Sequence, residues 1–280
     1  MKVLLTGASG QLAKAFIRYF IKNNIDFYAP PENVLDITNR SKVKNEFSSY
    51  KPTHVINCAA YNFVDGAEES PEIAFLINRD AVEILAEESN KAGVYFVHYS
   101  TGYVFDGKKN DFYVEEDKTF PLSKYAQSKY EGELKAALAD KYLIFRLNWV
   151  IGEGTQNFLY KLKTWAQFSS VLKIASDEVA VPTFTFDIVD ASMQAIKKEL
   201  TGLHHFANSG NSSRYALAKH YAKIKGINNS IIPVTSESFN LKAKRPLFSS
   251  LSNCLISSKL GMQIPDWEES MKKYCEEYDK

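Results

Sequence analysis

Tyr125 and Lys129 stand four residues apart in a segment, beginning near Lys124, whose pattern predicts a helix. That spacing stacks two side chains on one helix face. Upstream, the apolar run Val94-Tyr95-Phe96-Val97-His98-Tyr99 predicts a strand that breaks into Ser100-Thr101-Gly102. A hydroxyl at the end of that strand, Thr101, would face the Tyr–Lys pair across a cleft. A phenol is a weak acid at neutral pH, with an unperturbed pKa of about 10. A nearby ammonium lowers that value by stabilising the phenolate, and a second hydroxyl can hold a carbonyl oxygen in place. These are the parts needed to protonate a carbonyl oxygen while a hydride arrives at its carbon. The same spacing recurs at Tyr215/Lys219 and Tyr221/Lys225, within an ordinary amphipathic helical stretch. What sets Tyr125/Lys129 apart is its company: the strand ending in Ser-Thr, and a glycine loop that opens the chain.

That loop follows the short apolar strand Lys2-Val3-Leu4-Leu5 and runs Thr6-Gly7-Ala8-Ser9-Gly10-Gln11-Leu12-Ala13 into a helix carrying Leu12, Phe16, Ile17 and Phe20 on one face. Strand, glycine turn and helix in that order form a phosphate-binding βα unit. Gly7 permits the tight turn, and Gly10 lets the backbone approach a pyrophosphate at the helix N-terminus. Ala13 stands in the third glycine position and is small enough for close helix–sheet packing. The second strand, Ile25 to Ala29, ends in Pro30-Pro31, with neither an acidic residue at its tip to hold a ribose 2′-hydroxyl nor an arginine for a 2′-phosphate. With no acid there to repel a 2′-phosphate, NADPH is tolerated. Asp36 either contacts the adenine amine or caps the next helix.

A helix over 41–50, a strand at His54-Val55-Ile56-Asn57, and a long helix over 72–91 displaying Ile73, Leu76, Ile77, Ile84 and Leu85 come next. Then come the central strand, the Tyr125 helix and the strand Tyr142 to Arg146. This alternation predicts an α/β fold with a doubly wound parallel sheet of Rossmann type over residues 1–150. Beyond residue 150 the pattern loosens. Residues 151–280 read as a smaller α/β substrate-binding part, interleaved with the sheet and laid over the strand ends where open α/β folds bind ligands. Helices are expected near 157–168, 187–199, 214–226 and from Asp266, and strands at 172–175, 204–207 and 231–234.

The chain has 280 residues, 45% of them apolar and 24% charged, with a net charge of +1. The near-neutral balance and the lack of a basic run argue against a nucleic-acid surface. Apolar runs are strand-sized, which argues against a membrane span, and Met1-Lys2 leads directly into a strand without a signal peptide. Cys58, Cys254 and Cys275 lie far apart, and the five histidines have no ligand spacing, so neither a disulfide framework nor a metal site is expected. The expected protein is cytoplasmic, with no metal.

Several motifs carry a family likeness in order along the whole chain: T-G-A-S-G-Q-L at 6–12, C-A-A-Y at 58–61, V-D-G-A-E at 64–68, H-Y-S-T-G-Y-V-F at 98–105, P-L-S-K-Y-A-Q-S-K at 121–129, F-R-L-N-W-V at 145–150, D-E-V-A-V-P-T at 177–183 and K-R-P-L-F-S-S-L at 244–251. Together they resemble the dTDP-4-dehydrorhamnose reductases, extended short-chain dehydrogenase/reductases of sugar-nucleotide metabolism. The resemblance implies reduction at C4 of a nucleotide-linked 4-keto-6-deoxy sugar, with NADP(H) as cofactor and NAD(H) as the alternative. It implies that Tyr125 protonates the C4 oxygen, that Thr101 bonds that oxygen, and that Lys129 also holds the nicotinamide ribose. Gly10, Gln11, Leu12, Asp36, Ile37, Ala60, Tyr61 and Asn62 fall where the family contacts its dinucleotide. Trp149 falls where an indole packs on the sugar; the alternative is a core tryptophan near a strand end. Arg245 either faces the nucleotide diphosphate or fixes a surface loop.

Four positions depart from the family pattern. Gly102 stands where an Asp that contacts the sugar is usual, Asn62 where Thr is usual, Asn148 where Ser is usual and Glu178 where Gln is usual. A site built to bond one hydroxyl discriminates strongly against analogues lacking it, so Gly102 points to a possible change of sugar rather than of reaction. Ala15 replaces the metal-binding glutamate of some dimeric members, leaving either a monomer or a homodimer without a bridging metal. Two rivals stand beside the reductase. A nucleotide-sugar epimerase or dehydratase belongs to the same superfamily, but a dehydratase needs an acid–base pair after the hydroxyl, where Gly102-Tyr103 stands. A non-catalytic regulatory subunit would bind the dinucleotide without turnover and would not require the Thr101/Tyr125/Lys129 set.

Overall fold

The computed structural model describes residues 1–279. Its first half alternates strand and helix: β1 Lys2–Thr6, α1 Gln11–Lys22, β2 Asp26–Tyr28, α2 Arg40–Tyr50, β3 His54–Asn57, α3 Gly66–Glu69, α4 Pro71–Phe75, a π-helical turn Leu76–Asp80, α5 Ala81–Ala92, β4 Tyr95–Thr101, α6 Lys124–Ala136 and β5 Tyr142–Leu147. The second half holds β6 Val150–Ile151, α7 Phe158–Phe168, β7 Val171–Ala175, β8 Val179–Ala180, β9 Thr183–Phe184, α8 Thr185–Lys197, β10 Gly202–His205, β11 Ser212–Ser213, α9 Arg214–Lys225, β12 Ser230–Val234, α10 Cys254–Leu260 and α11 Trp267–Glu277.

The main sheet has the order β10-β5-β4-β3-β1-β2, and every pairing in it is parallel. Parallel strands are buried on both faces, which is why they read as unbroken apolar runs. Alternate residues serve two cores. Val3, Leu5, Tyr95, Val97 and Tyr99 join Phe16 and Phe20 of α1 and Ile188 of α8 on one face. Leu4, Val55 and Phe96 join Val43 and Phe47 of α2 and Leu85 of α5 on the other. The chain leaves β1 toward β2 on one side and returns to β3 on the other, so the strand ends at β1 and β3 flank a crevice. There Gly7, at φ +69°, passes so close to the β3 loop that a Cβ would lie 2.6 Å from Ala59 N. The edge strand β10 comes from the second half, which thereby completes the sheet of the first. A separate core of Phe184, Tyr221, Trp267, Met271 and Tyr274 packs the C-terminal helices.

Two expectations need correction. Ser100 and Thr101 lie inside β4 rather than after it, because their backbone continues the ladder with Arg146 and Leu147 of β5. The long helix expected over 72–91 is interrupted by the π turn, which inserts an extra residue per turn and rotates the faces on either side of it. Ile73 and Leu76, expected on the apolar face, are therefore 42% and 43% exposed, while Asn78 is buried at 1%. The buried amide has partners: its Oδ1 accepts from Tyr61 N at 2.9 Å, and its Nδ2 donates to Tyr61 O at 3.0 Å and to Ser128 Oγ at 2.9 Å. The π turn thus joins the loop after β3 to helix α6.

Helix α6 can lie against that turn only because residue 132 lacks a side chain. A Cβ on Gly132 would sit 2.0 Å from the backbone oxygen of Asn78. Gly132→Ala should destabilise the protein by about 1–3 kcal/mol through overpacking against rigid backbone. Urea unfolding of the two proteins measures it; equal midpoints would mean that the helix can shift without cost.

Candidate active site

Helix α6 starts where Ser123 accepts from Ala126 N at 3.2 Å as N-cap. It carries Tyr125 and Lys129 inward, at 8% and 3% exposure. The end of β4 lies opposite. Lys129 Nζ donates to Tyr99 O at 2.6 Å, and two residues further on Thr101 accepts from Tyr103 N at 3.2 Å. Thr101, Tyr125 and Lys129 are therefore brought together, as their spacing predicts. The expected acidification of the phenol by Lys129 is not found. The ammonium is turned to the Tyr99 carbonyl, and burial pushes the phenol up to about 12, with only the nearby Thr101 hydroxyl pulling it down. Burial also lowers Lys129 to about 8, with the Glu133 carboxylate opposing that fall. At neutral pH the pair is therefore a protonated phenol and a charged ammonium.

The residues expected to meet the dinucleotide lie in the segments that follow β1, β2 and β3. Gly10 is the N-cap of α1 and offers no side-chain cap, and the first turn of α1 has no acidic residue. The first backbone N–H groups of that helix are thus left for an anion, the arrangement that suits a pyrophosphate. Gln11 Nε2 donates to Val150 O at 3.1 Å, while its Oε1 is buried without a partner. Leu12 packs into the core beneath the loop. Ala60, Tyr61 and Asn62 line the loop after β3, which Asn78 holds, and Asn62 Oδ1 is 3.4 Å from the Tyr125 hydroxyl. Asp36 Oδ1 accepts from Thr38 N at 2.9 Å and Thr38 Oγ1 at 2.7 Å, bonds that hold its carboxyl low. It does not cap α2; Asn39 does, accepting from Lys42 N. Ile37 is buried beneath it. The open helix end and the orphaned amide oxygen both fit a bound NADP(H).

Trp149 has φ +27°, a left-handed backbone rarely adopted by a bulky residue. Its indole is braced by the Arg214 guanidinium, 4.1 Å from the ring centroid, and Glu178 accepts from Arg214 Nε at 3.0 Å. Its Nε1 is buried without a partner. The Arg245 guanidinium grips Asp65 at 2.6 and 3.2 Å and donates to Ala243 O at 2.9 Å, bonds that fix its loop. Gly102 and Asn148, two separate departures in sequence, form one arrangement in space. A Cβ on Gly102 would lie 2.2 Å from Asn148 Oδ1, so the Asn148 carboxamide occupies the room that a side chain at 102 would need. Asn148 Nδ2 is tied to Ser249 O.

Some site residues gave no readable signal. Asn78 carries none because an even 3.6-residue period places it on the solvent side, and only the π turn brings it in. Glu133 and Arg146, both buried, look like surface charges in a sequence; only the Lys129-to-Glu133 spacing of four hinted that they share a face.

A family model described as "RmlD substrate binding domain" matches residues 1–280. The chain is 34% identical to a spore coat polysaccharide biosynthesis protein of Bacillus subtilis, over 99% of this chain and 97% of that one. It is 33% identical to a dTDP-4-dehydrorhamnose reductase of Sinorhizobium fredii, over 98% and 96%. The crystal structure of dTDP-4-dehydrorhamnose reductase from Bacillus anthracis in complex with NADP superposes with a TM-score of 0.95, at 31% identity, covering 99% of this chain and 100% of that one.

Gly102→Ala should force Asn148 off its bond to Ser249 and cost about 1–3 kcal/mol. Adding Asn148→Ser, which clears the space, should recover most of that loss. A double-mutant cycle by thermal unfolding should give a coupling of at least about 1 kcal/mol; simple additivity would show that the two positions do not share the space.

Proposed function

The chain belongs to the dTDP-4-dehydrorhamnose reductase family, and from that membership we propose how it works: it is an NADPH-dependent reductase of the C4 ketone of a nucleotide-linked 4-keto-6-deoxy sugar, converting dTDP-4-dehydro-L-rhamnose to dTDP-L-rhamnose. The observation that carries this reading is the convergence of Thr101, Tyr125 and Lys129 beside an open, uncapped helix N-terminus. NADPH, when bound, supplies the hydride for C4. The backbone of Gly10, Gln11 and Leu12 would hold its pyrophosphate, and Ala60, Tyr61 and Asn62 would lie along it. Asp36 and Ile37 would meet the adenine, and NAD(H) is the alternative cofactor.

Tyr125 gives its proton to the C4 oxygen. Because burial keeps its phenol protonated, the donor is ready before the substrate arrives. Thr101 hydrogen-bonds the same oxygen and fixes the carbonyl in line with the phenol. Lys129 stabilises the phenolate left behind, which forms beside its ammonium, and holds the nicotinamide ribose. The Trp149 indole packs on the sugar. Gly102 and Asn148 shape the wall between Thr101 and Trp149, and the half-buried Arg245–Asp65 pair holds the loop that carries Arg245. The protein works in the cytoplasm as a monomer or a homodimer.

Tyr125→Phe should lower kcat by about 10²–10⁴-fold, with NADPH affinity nearly unchanged. The assay follows NADPH consumption with dTDP-4-dehydro-L-rhamnose; turnover near the parental rate would overturn the mechanism. The charged form of Lys129 exists below its pKa and is lost as pH rises. Activity should therefore be retained at neutral pH and fall through about pH 8. A profile flat to pH 10 (~2 units above that value) would remove Lys129 from the proton chemistry.

A further inference from the structure

Beneath the Tyr–Lys pair lies a buried charged group that the mechanism has not used. Glu133 is one helical turn beyond Lys129 on α6, on the same face, and is 3% exposed. Both of its oxygens are engaged: Oε1 accepts from Ser100 Oγ and from Arg146 Nε at 2.9 Å, and Oε2 accepts from Arg146 Nη2 at 2.8 Å. Arg146 lies on β5, in register with Ser100 of β4. Its guanidinium stacks on Phe105 at 5.1 Å and meets His205 Nε2 at 3.4 Å. Three consecutive residues at the end of β4 thus have separate tasks: the Tyr99 carbonyl holds Lys129, the Ser100 hydroxyl holds Glu133, and Thr101 faces the cleft.

A buried ion pair of this kind is seldom more stabilising than apolar residues of the same volume, because desolvation offsets the attraction. Stability alone does not account for it. We propose that Glu133 is a positioning residue for the reaction, its carboxylate locking α6 to the end of β4 and keeping the neighbouring Lys129 ammonium charged and aimed at the site. This rests on the reductase reading only in giving Lys129 its task. The groups that face Lys129 are Glu133 and Tyr125 from α6, the Tyr99 carbonyl and His98 from β4, and Cys58 from the loop after β3. Burial holds His98 far below its usual range, so it is neutral, and burial pushes the Cys58 thiol up, so it is neutral as well. His205, behind Arg146, is held down to about 3 by burial and by the guanidinium. Glu133 is then the one full negative charge in this set that acts on Lys129.

The test compares Glu133→Gln, Glu133→Asp and Glu133→Gln/Arg146→Met with the parent. Glu133→Gln alone leaves Arg146 buried without its anion and can fail to fold; the double variant removes both charges and keeps the volume. Two pH profiles are recorded for each folded protein: kcat for dTDP-4-dehydro-L-rhamnose, and the Kd for NADPH by fluorescence, which needs no sugar. In the double variant the alkaline limb of both profiles should move toward acid by on the order of one unit, and kcat at neutral pH should fall about tenfold or more. Glu133→Asp, which keeps the charge, should keep the limb. A folded double variant whose limbs and kcat match the parent would reduce Glu133 to a packing role and overturn the proposal. If the parent fails to reduce the sugar, the reductase reading falls, while the NADPH profile still decides for or against Glu133.

Discussion

Burying the Lys129 ammonium is the constraint on which the site is built. At 3% exposure the charge has left most of its water, and an uncompensated buried charge is costly. Compensation comes from backbone: the Tyr99 carbonyl takes one of its protons at 2.6 Å. For that oxygen to be in reach, α6 must lie close on the end of β4. That demands a glycine at 132 against the π turn, with Asn78 satisfying both the β3 loop and α6 from inside that turn. The placement of Tyr125 is therefore decided by packing at Gly132, two helical turns away on the same helix face.

Much of this was readable in the chain. The strand–glycine–helix unit at the start and the alternation of apolar runs with helical periods lead to the observed parallel sheet, because strands covered on both faces must be apolar throughout. The Tyr125/Lys129 spacing was readable because helix geometry turns a separation of four into a shared face. What stayed hidden depends on contacts between distant segments. The π turn breaks the period on which the reading of 72–91 relied, so Ile73 and Leu76 were placed inward and Asn78 was missed. Gly102 and Asn148 looked like independent departures because nothing in a sequence shows that one side chain lies in the room vacated by another. No motif points from Arg245 to Asp65, its ion-pair partner far away in sequence.

Charge around the site follows one rule. Arg146 is matched by Glu133, Arg214 by Glu178 and Arg245 by Asp65. Each guanidinium is planar and forked, and each is used to hold a loop, a strand or an aromatic ring at a set angle. Arg214 does this most visibly, pressing on the Trp149 indole while Glu178 fixes it from behind. With these arginines neutralised in pairs, Lys129 has no carboxylate within ion-pair distance among the described residues.

Burial sets the protonation states of Tyr125 and Lys129. Burial moves the two members of the pair oppositely, the phenol up to about 12 and the ammonium down to about 8. Both shifts come from one cause, since burial disfavours whichever form is charged. At neutral pH the result is a tyrosine that still holds its proton beside a lysine that still holds its charge. Delivering a proton to a ketone oxygen requires that starting state, whereas removing a proton from an alcohol requires the phenolate. In the role proposed for it, Tyr125 rests in the protonated state that reduction draws on, and the acidification expected of such a tyrosine is needed only as the proton leaves.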